Sequence, residues 1–157
     1  MICFFYIHRF YLKFFLLFFL MNSSSILYGQ KDNKAVDHIK ALAAKDKFYA
    51  NDFRGALIEY KELLAKNQND PDYLYYSGVC LVNLKKYDEG LELFERLKKM
   101  NVENIKDYHL YVGICLHQQE KLDEAITEFE KHKSSLTSKQ IKDNDVFQYI
   151  EQCKTAK

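Results

Sequence analysis

Proline occurs once in the 157 residues, glycine five times and tryptophan not at all. That scarcity excludes a fold built on many tight turns, and with 29% charged residues it favours helices. Excess charge is missing as well. Lys and Arg number 23 against 22 Asp and Glu, so the chain has neither the basic field that nucleic acid requires nor an acidic tail. The short motifs of catalysis are also absent: there is no glycine-rich phosphate loop, no nucleophile elbow and no Cys-x-x-Cys. The histidines beyond residue 29 are His38, His109, His117 and His132, none at a ligand spacing with a carboxylate or thiol. Cys115 and His117 are two positions apart, about 200° around a helix, and cannot share a metal. No enzyme activity, metal or cofactor is expected.

Acidic residues are lacking from Met1 to Gly29, where Arg9 and Lys13 precede the apolar run FFLLFFLM and the polar stretch NSSSILYG. This order reads as a secretion signal over residues 1–29, with the cut after Gly29 or at the serines 23–25. The apolar run falls short of the about 20 residues that span hydrocarbon. Extended over residues 10–28 it becomes the alternative, an uncleaved inner-membrane anchor and the chain's one route to a membrane. The expected location is the periplasm or cell envelope. Cys80, Cys115 and Cys153 then enter an oxidising compartment as an odd set of three.

What the sequence does contain is a period. YSGVCLVNLKKYDEG at 76–90 returns as YVGICLHQQEKLDEA at 111–125, and AKDKFYANDFRGALIEYKELL from Ala44 is a weaker copy. The small residues Ala44, Gly78 and Gly113 are 34 and 35 apart, as are Ala56, Gly90 and Ala125. Each copy joins two helical patterns. In the second, Tyr87, Leu91, Phe94 and Leu97 recur at three- and four-residue steps and make one apolar stripe opposite a charged face. A helix hairpin cannot bury such a stripe alone, so the copies must stack.

Small residue, turn aromatic, small residue, aromatic is the mark of the tetratricopeptide repeat (TPR), which this chain resembles over residues 36–138. Those places are held by Ala44, Phe53, Ala56 and Tyr60, by Gly78, Tyr87, Gly90 and Phe94, and by Gly113, Leu122, Ala125 and Phe129. The resemblance implies an all-α fold, a right-handed superhelix of three helix-turn-helix repeats at about 37–70, 71–105 and 106–139. Residues 143–155 are expected to add a capping helix with Val146, Phe147, Ile150 and Cys153 on one face and Asp143 or Asn144 as N-cap. The run YHLYVGICLHQQEKLDEAITEFEKHKSSL is also similar to the N-terminal repeat module of Gram-negative envelope proteins that continue into WD40-like and OmpA-like domains. Those domains do not follow in this sequence, and what the likeness implies is location in the envelope and a scaffolding role for the repeats.

In the resembling family, partners are held by fixed places on the first helix of each repeat, which line the concave face. Carried over, these give Lys45, Phe48 and Tyr49, then Tyr75, Val79, Val82 and Asn83, then Leu110, Ile114 and His117. The Lys, Asn and Arg set with which some members clamp a carboxylate tail is absent but for Lys45. An apolar floor of this kind suits an amphipathic helix or an extended apolar peptide. The expected function is therefore a non-catalytic adaptor for a protein or peptide partner. Two alternatives are a redox-active or metal-binding protein using Cys80, Cys115 and Cys153, and a self-associating structural subunit. Two equivalent cysteines one repeat apart are too far apart to bridge, because packed helices lie about 8 to 10 Å apart.

Overall fold

The computed structural model describes residues 34–102, 105, 107–137, 140 and 145–156, so the signal or anchor expected at 1–29 lies outside the described residues. The chain divides into two parts, Met1–Lys40 and Ala41–Lys157. Helix α1, residues 34–49, crosses that division. The further helices, all in the second part, are α2 (Phe53–Lys66), α3 (Pro71–Asn83), α4 (Tyr87–Lys99), α5 (Tyr108–Gln118), α6 (Leu122–Ser135) and α7 (Val146–Thr155). No described residue is in a strand, and no described helix is long and apolar enough to cross a membrane. The fold is all-α, with α1–α2, α3–α4 and α5–α6 as the three repeat hairpins.

Local chemistry sets the helix ends. Asp52 caps α2 by accepting from the Gly55 amide at 2.9 Å, and Asp70 caps α3 by accepting from Tyr73 at 3.1 Å, with Pro71 in the first helical place. Helices α4 and α6 lack a side-chain cap and instead carry Asp88 and Glu89, and Asp123 and Glu124, in their first turns, where carboxylates complement the helix dipole. The turns repeat as strictly as the side chains. Asn51, Lys85 and Glu120 have φ of 61°, 61° and 60°, and the next amide bonds back five residues, Asp52 to Lys47, Lys86 to Leu81 and Lys121 to Leu116, at 2.9, 2.8 and 3.0 Å. This left-handed closure satisfies the carbonyls at the end of each first helix.

Close approach of the helices explains the small residues. A Cβ at Gly78 would sit 2.8 Å from Phe94, and one at Gly113 would sit 2.6 Å from Phe129. Each ring sets its edge against the glycine of the partner helix and is fully buried. Two apolar clusters result, one around Tyr60, Leu63 and Leu81 and one around Phe94, Leu97 and Phe129, with Phe48 and Leu93 packed against both. Stacked rings join successive hairpins. Tyr60, Phe94 and Phe129 are covered by Tyr76, Tyr111 and Tyr149, at centroid separations of 5.5, 6.3 and 5.2 Å and interplanar angles of 8°, 14° and 16°.

Helix α7 thus presents to the third hairpin what α3 and α5 present to the first and second. Its buried face corrects the expectation from sequence. Val146, Ile150 and Cys153 are buried, but Tyr149 completes the face, while Phe147 is 45% exposed with the Lys133 ammonium 4.9 Å above its ring. The N-cap is Asp145, without a side-chain cap bond, not Asp143 or Asn144, which lie outside the described residues.

Candidate functional site

The expected concave strip resolves into an exposed edge, an aromatic row and two buried residues. Lys45 and Tyr49 lie on the surface of α1, Tyr49 at 66% exposure, and Phe48 is half-buried between α1 and α3. Leu110, Ile114 and His117 are half-buried along α5. Asn83 is exposed and donates its side-chain amide to the Val79 carbonyl at 2.9 Å.

Val79 and Val82 correct the expectation that they line the floor. They are 1% and 7% exposed and belong to the core. The rotation of α3 about its axis is set by Gly78 against Phe94, and this turns Val82 toward Gly90 of α4, where an added Cβ would meet Val82 at 3.2 Å. Their methyls hold the α3–α4 hairpin and offer a partner no surface.

The floor is aromatic instead. Phe48, Tyr76, Tyr75 and Tyr111 form a row across α1, α3 and α5, each pair edge to face, with centroids 5.0, 5.4 and 6.4 Å apart. Edge-to-face contact sets the positive ring edge against the negative face of its neighbour. The Lys45 ammonium lies 5.5 Å from the centre of the Tyr76 ring, so the row already holds one cation against an aromatic face. The residues missed by sequence reasoning are Tyr76 and Tyr111. Their signal was in view, since they are the identical tyrosines that open the two copies of the repeated stretch.

The phenols of the row are held in their protonated form. Burial pushes the Tyr76 phenol up to about 12, helped by its hydrogen bond with Tyr49. Tyr75 is raised well beyond the ordinary phenol value by burial, with Tyr111 and Asp107 adding to it, and Tyr111 is raised by burial and by Asp107. All three hydroxyls stay protonated at neutral pH. Cys80, Cys115 and Cys153 are free thiols, each fully buried, and burial pushes Cys80 and Cys115 up to about 12. A buried protonated thiol is a poor nucleophile and a poor metal ligand, and among the described residues no three His, Cys, Asp or Glu side chains gather as a metal site.

Comparison with known proteins places this fold among relatives. A family described as anaphase-promoting complex, cyclosome, subunit 3 matches residues 50–132, from the α1–α2 turn into α6. No curated protein matches. Among solved structures the chain is similar to the Yersinia enterocolitica type III secretion chaperone SycD in complex with a peptide of the translocator YopD, at 16% identity and a TM-score of 0.61 over 74% of this chain and 91% of that one. It is similar to an alternative dimer of the same translocator chaperone at 15% identity and 0.62, over 76% and 92% of the two chains. A further structure of that chaperone matches at 15% identity and 0.62, over 74% and 82%. At these identities the likeness is one of fold.

Proposed function

The chain belongs to the anaphase-promoting complex, cyclosome, subunit 3 family of TPR-type repeats, and from that premise we propose that it is a non-catalytic adaptor holding a protein or peptide partner along the first helices of its repeats. The observation that carries this reading is the aromatic row, flanked by exposed Tyr49 and half-buried Leu110 and Ile114. Rigid rings give contact area at little entropic cost, which is why aromatic residues dominate partner contacts. One similar structure contains a peptide of a translocator, and a bound peptide on the same fold supports the class of partner. The partner read from the floor is an amphipathic helix or an extended apolar segment.

The place of action in this reading is the cell envelope, reached by the signal over residues 1–29 or held by an anchor over 10–28. Fractionation of the full chain with mass analysis of its N terminus tests this. A product beginning at or before Gln30 in the soluble envelope fraction supports export, an intact chain in the membrane fraction supports the anchor, and an intact soluble cytosolic chain overturns both.

Partner binding is tested with Tyr49→Ala combined with Leu110→Ala, changes that add no charge against the core on which Leu110 packs. Recovery of cross-linked partners from envelope extract is expected to fall at least tenfold with the helical circular dichroism unchanged. Equal recovery by the folded variant removes Tyr49 and Leu110, and with them the flanks of the row, as partner contacts.

A further inference from the structure

A cleft of about 310 Å³ lies between α4 and α6, on the side of α5 turned away from the proposed partner face. Val112 and Leu116, which line it, lie about 200° around the helix from Leu110 and Ile114. Leu91, Tyr108, Val112 and Leu116 form its apolar floor at 3–9% exposure. The Tyr108 hydroxyl is spent on the Phe94 carbonyl at 3.1 Å, so the ring faces the cleft as apolar surface. Glu95 of α4 and Glu124 of α6 stand at its rim.

The repeat supplies a template for what this cleft lacks. Lys61 follows Ala56 by five residues as Glu95 follows Gly90, and Glu89 precedes Gly90 as Glu124 precedes Ala125. At the first junction Lys61 reaches Glu89 at 3.9 Å, and Arg96 adds a second bridge to the Gln68 carbonyl. At the second junction the lysine's place is held by Glu95, so two carboxylates occupy the positions of an oppositely charged pair. Lys98 and Lys121 also line the cleft, yet among the described residues neither they nor the two glutamates form an ion pair. Glu128, the third carboxylate of the lining, is already satisfied by His109 and Lys131 at 2.6 and 2.7 Å.

We propose that this cleft binds one basic side chain of a partner protein, its aliphatic stem on the floor of Leu91, Val112 and Leu116 and its cation between Glu95 and Glu124. Long basic side chains lie along apolar surface while their charge stays at the rim, and the cation takes the role that Lys61 fills one repeat earlier. Lys98 and Lys121 repel a polybasic segment, which selects an isolated lysine or arginine with apolar neighbours. This surface is separate from the aromatic row, and its test stands or falls apart from that reading.

The test is methyl NMR of the whole chain titrated with acetyl-Leu-Arg-Leu amide and with the citrulline counterpart, which keeps the shape and loses the charge. Shifts at the methyls of Leu91, Val112 and Leu116 are expected with the arginine peptide, at least tenfold tighter than with citrulline. Glu95→Lys, an exposed change that recreates the pairing of the first junction, is expected to abolish them with the melting temperature maintained. Glu124→Gln should weaken binding without a new bridge. Equal binding of the citrulline peptide, unchanged binding to Glu95→Lys, or no methyl shift at millimolar peptide each overturns the proposal.

Discussion

Two glycines carry more of this structure than any polar contact. Gly78 and Gly113 let a phenylalanine ring set its edge against a helix backbone, and a methyl there would sit 2.8 Å from Phe94 or 2.6 Å from Phe129. Neither ring has room to retreat, since both are fully buried and stacked on the next tyrosine. Gly78→Ala and Gly113→Ala are each expected to cost about 1–3 kcal/mol in overpacking, with the larger loss at 113, where the approach is closer. Urea denaturation checks the order, and Phe129→Leu in the Gly113→Ala background should restore part of the loss. A stabilising effect of either alanine, as expected where only chain entropy counts, would show that the ring contact is not the constraint. These positions were legible in the sequence because the contact admits only one residue type. Val79 and Val82 were not, since valine suits a core and a groove floor equally and only the rotation of α3 separates the two.

At the scale of helices, the third hairpin is held by a charged contact between its two helices, as the first is by Lys47 and Glu59 at 2.7 Å. His109 of α5 donates Nδ1 to Glu128 of α6 at 2.6 Å, and Lys131 joins the same carboxylate at 2.7 Å. Burial alone would raise the Glu128 pKa, but the bonds from Lys131 and His109 outweigh it and hold the carboxyl below its ordinary value. A depressed carboxylate contributes stability above its unfolded pKa and loses it as pH falls through the folded one. Glu128→Gln is therefore expected to lose about 1 kcal/mol at neutral pH and to converge with the parent only as pH falls through the lowered pKa of the folded carboxyl, below the ordinary carboxylate range. Thermal melts between pH 3 and 7 measure this, and a constant gap over the range would assign the effect to packing. Helix α7 is the other element-scale device, because Tyr149 repeats on Phe129 the stack that Tyr76 and Tyr111 make on Tyr60 and Phe94. Tyr149→Ala should cost about 2 kcal/mol and Tyr149→Phe almost nothing. A capping helix was foreseen from its apolar spacing, but one member of its face was misread, because Phe147 and Tyr149 are both aromatic and only the position of Phe129 decides between them.

Among the described residues of the second part, the first and third hairpins are covered unequally. The first hairpin leaves Leu42, Tyr49 and Ile58 at 50%, 66% and 56% exposure, whereas α7 covers the third hairpin with Val146, Ile150 and Cys153 at 2% or less. In a solenoid each repeat is stabilised by its neighbours, so a hairpin with one covered side opens at lower free energy than one covered on both. Hydrogen exchange should accordingly be graded along the chain: amides of α1 and α2 exchange first, and those of α4, α5 and α6 last. Phe48 and Leu93 pack against both clusters and tie the gradient together, so Leu93→Ala is expected to loosen α1–α2 further while leaving the order intact. Removing the Tyr149 ring should bring α6 down toward α2. Exchange of α5–α6 ahead of α1–α2 in the parent chain would mean that the buried face of α7 does not set the polarity, and that stability follows the hairpins' own sequences instead.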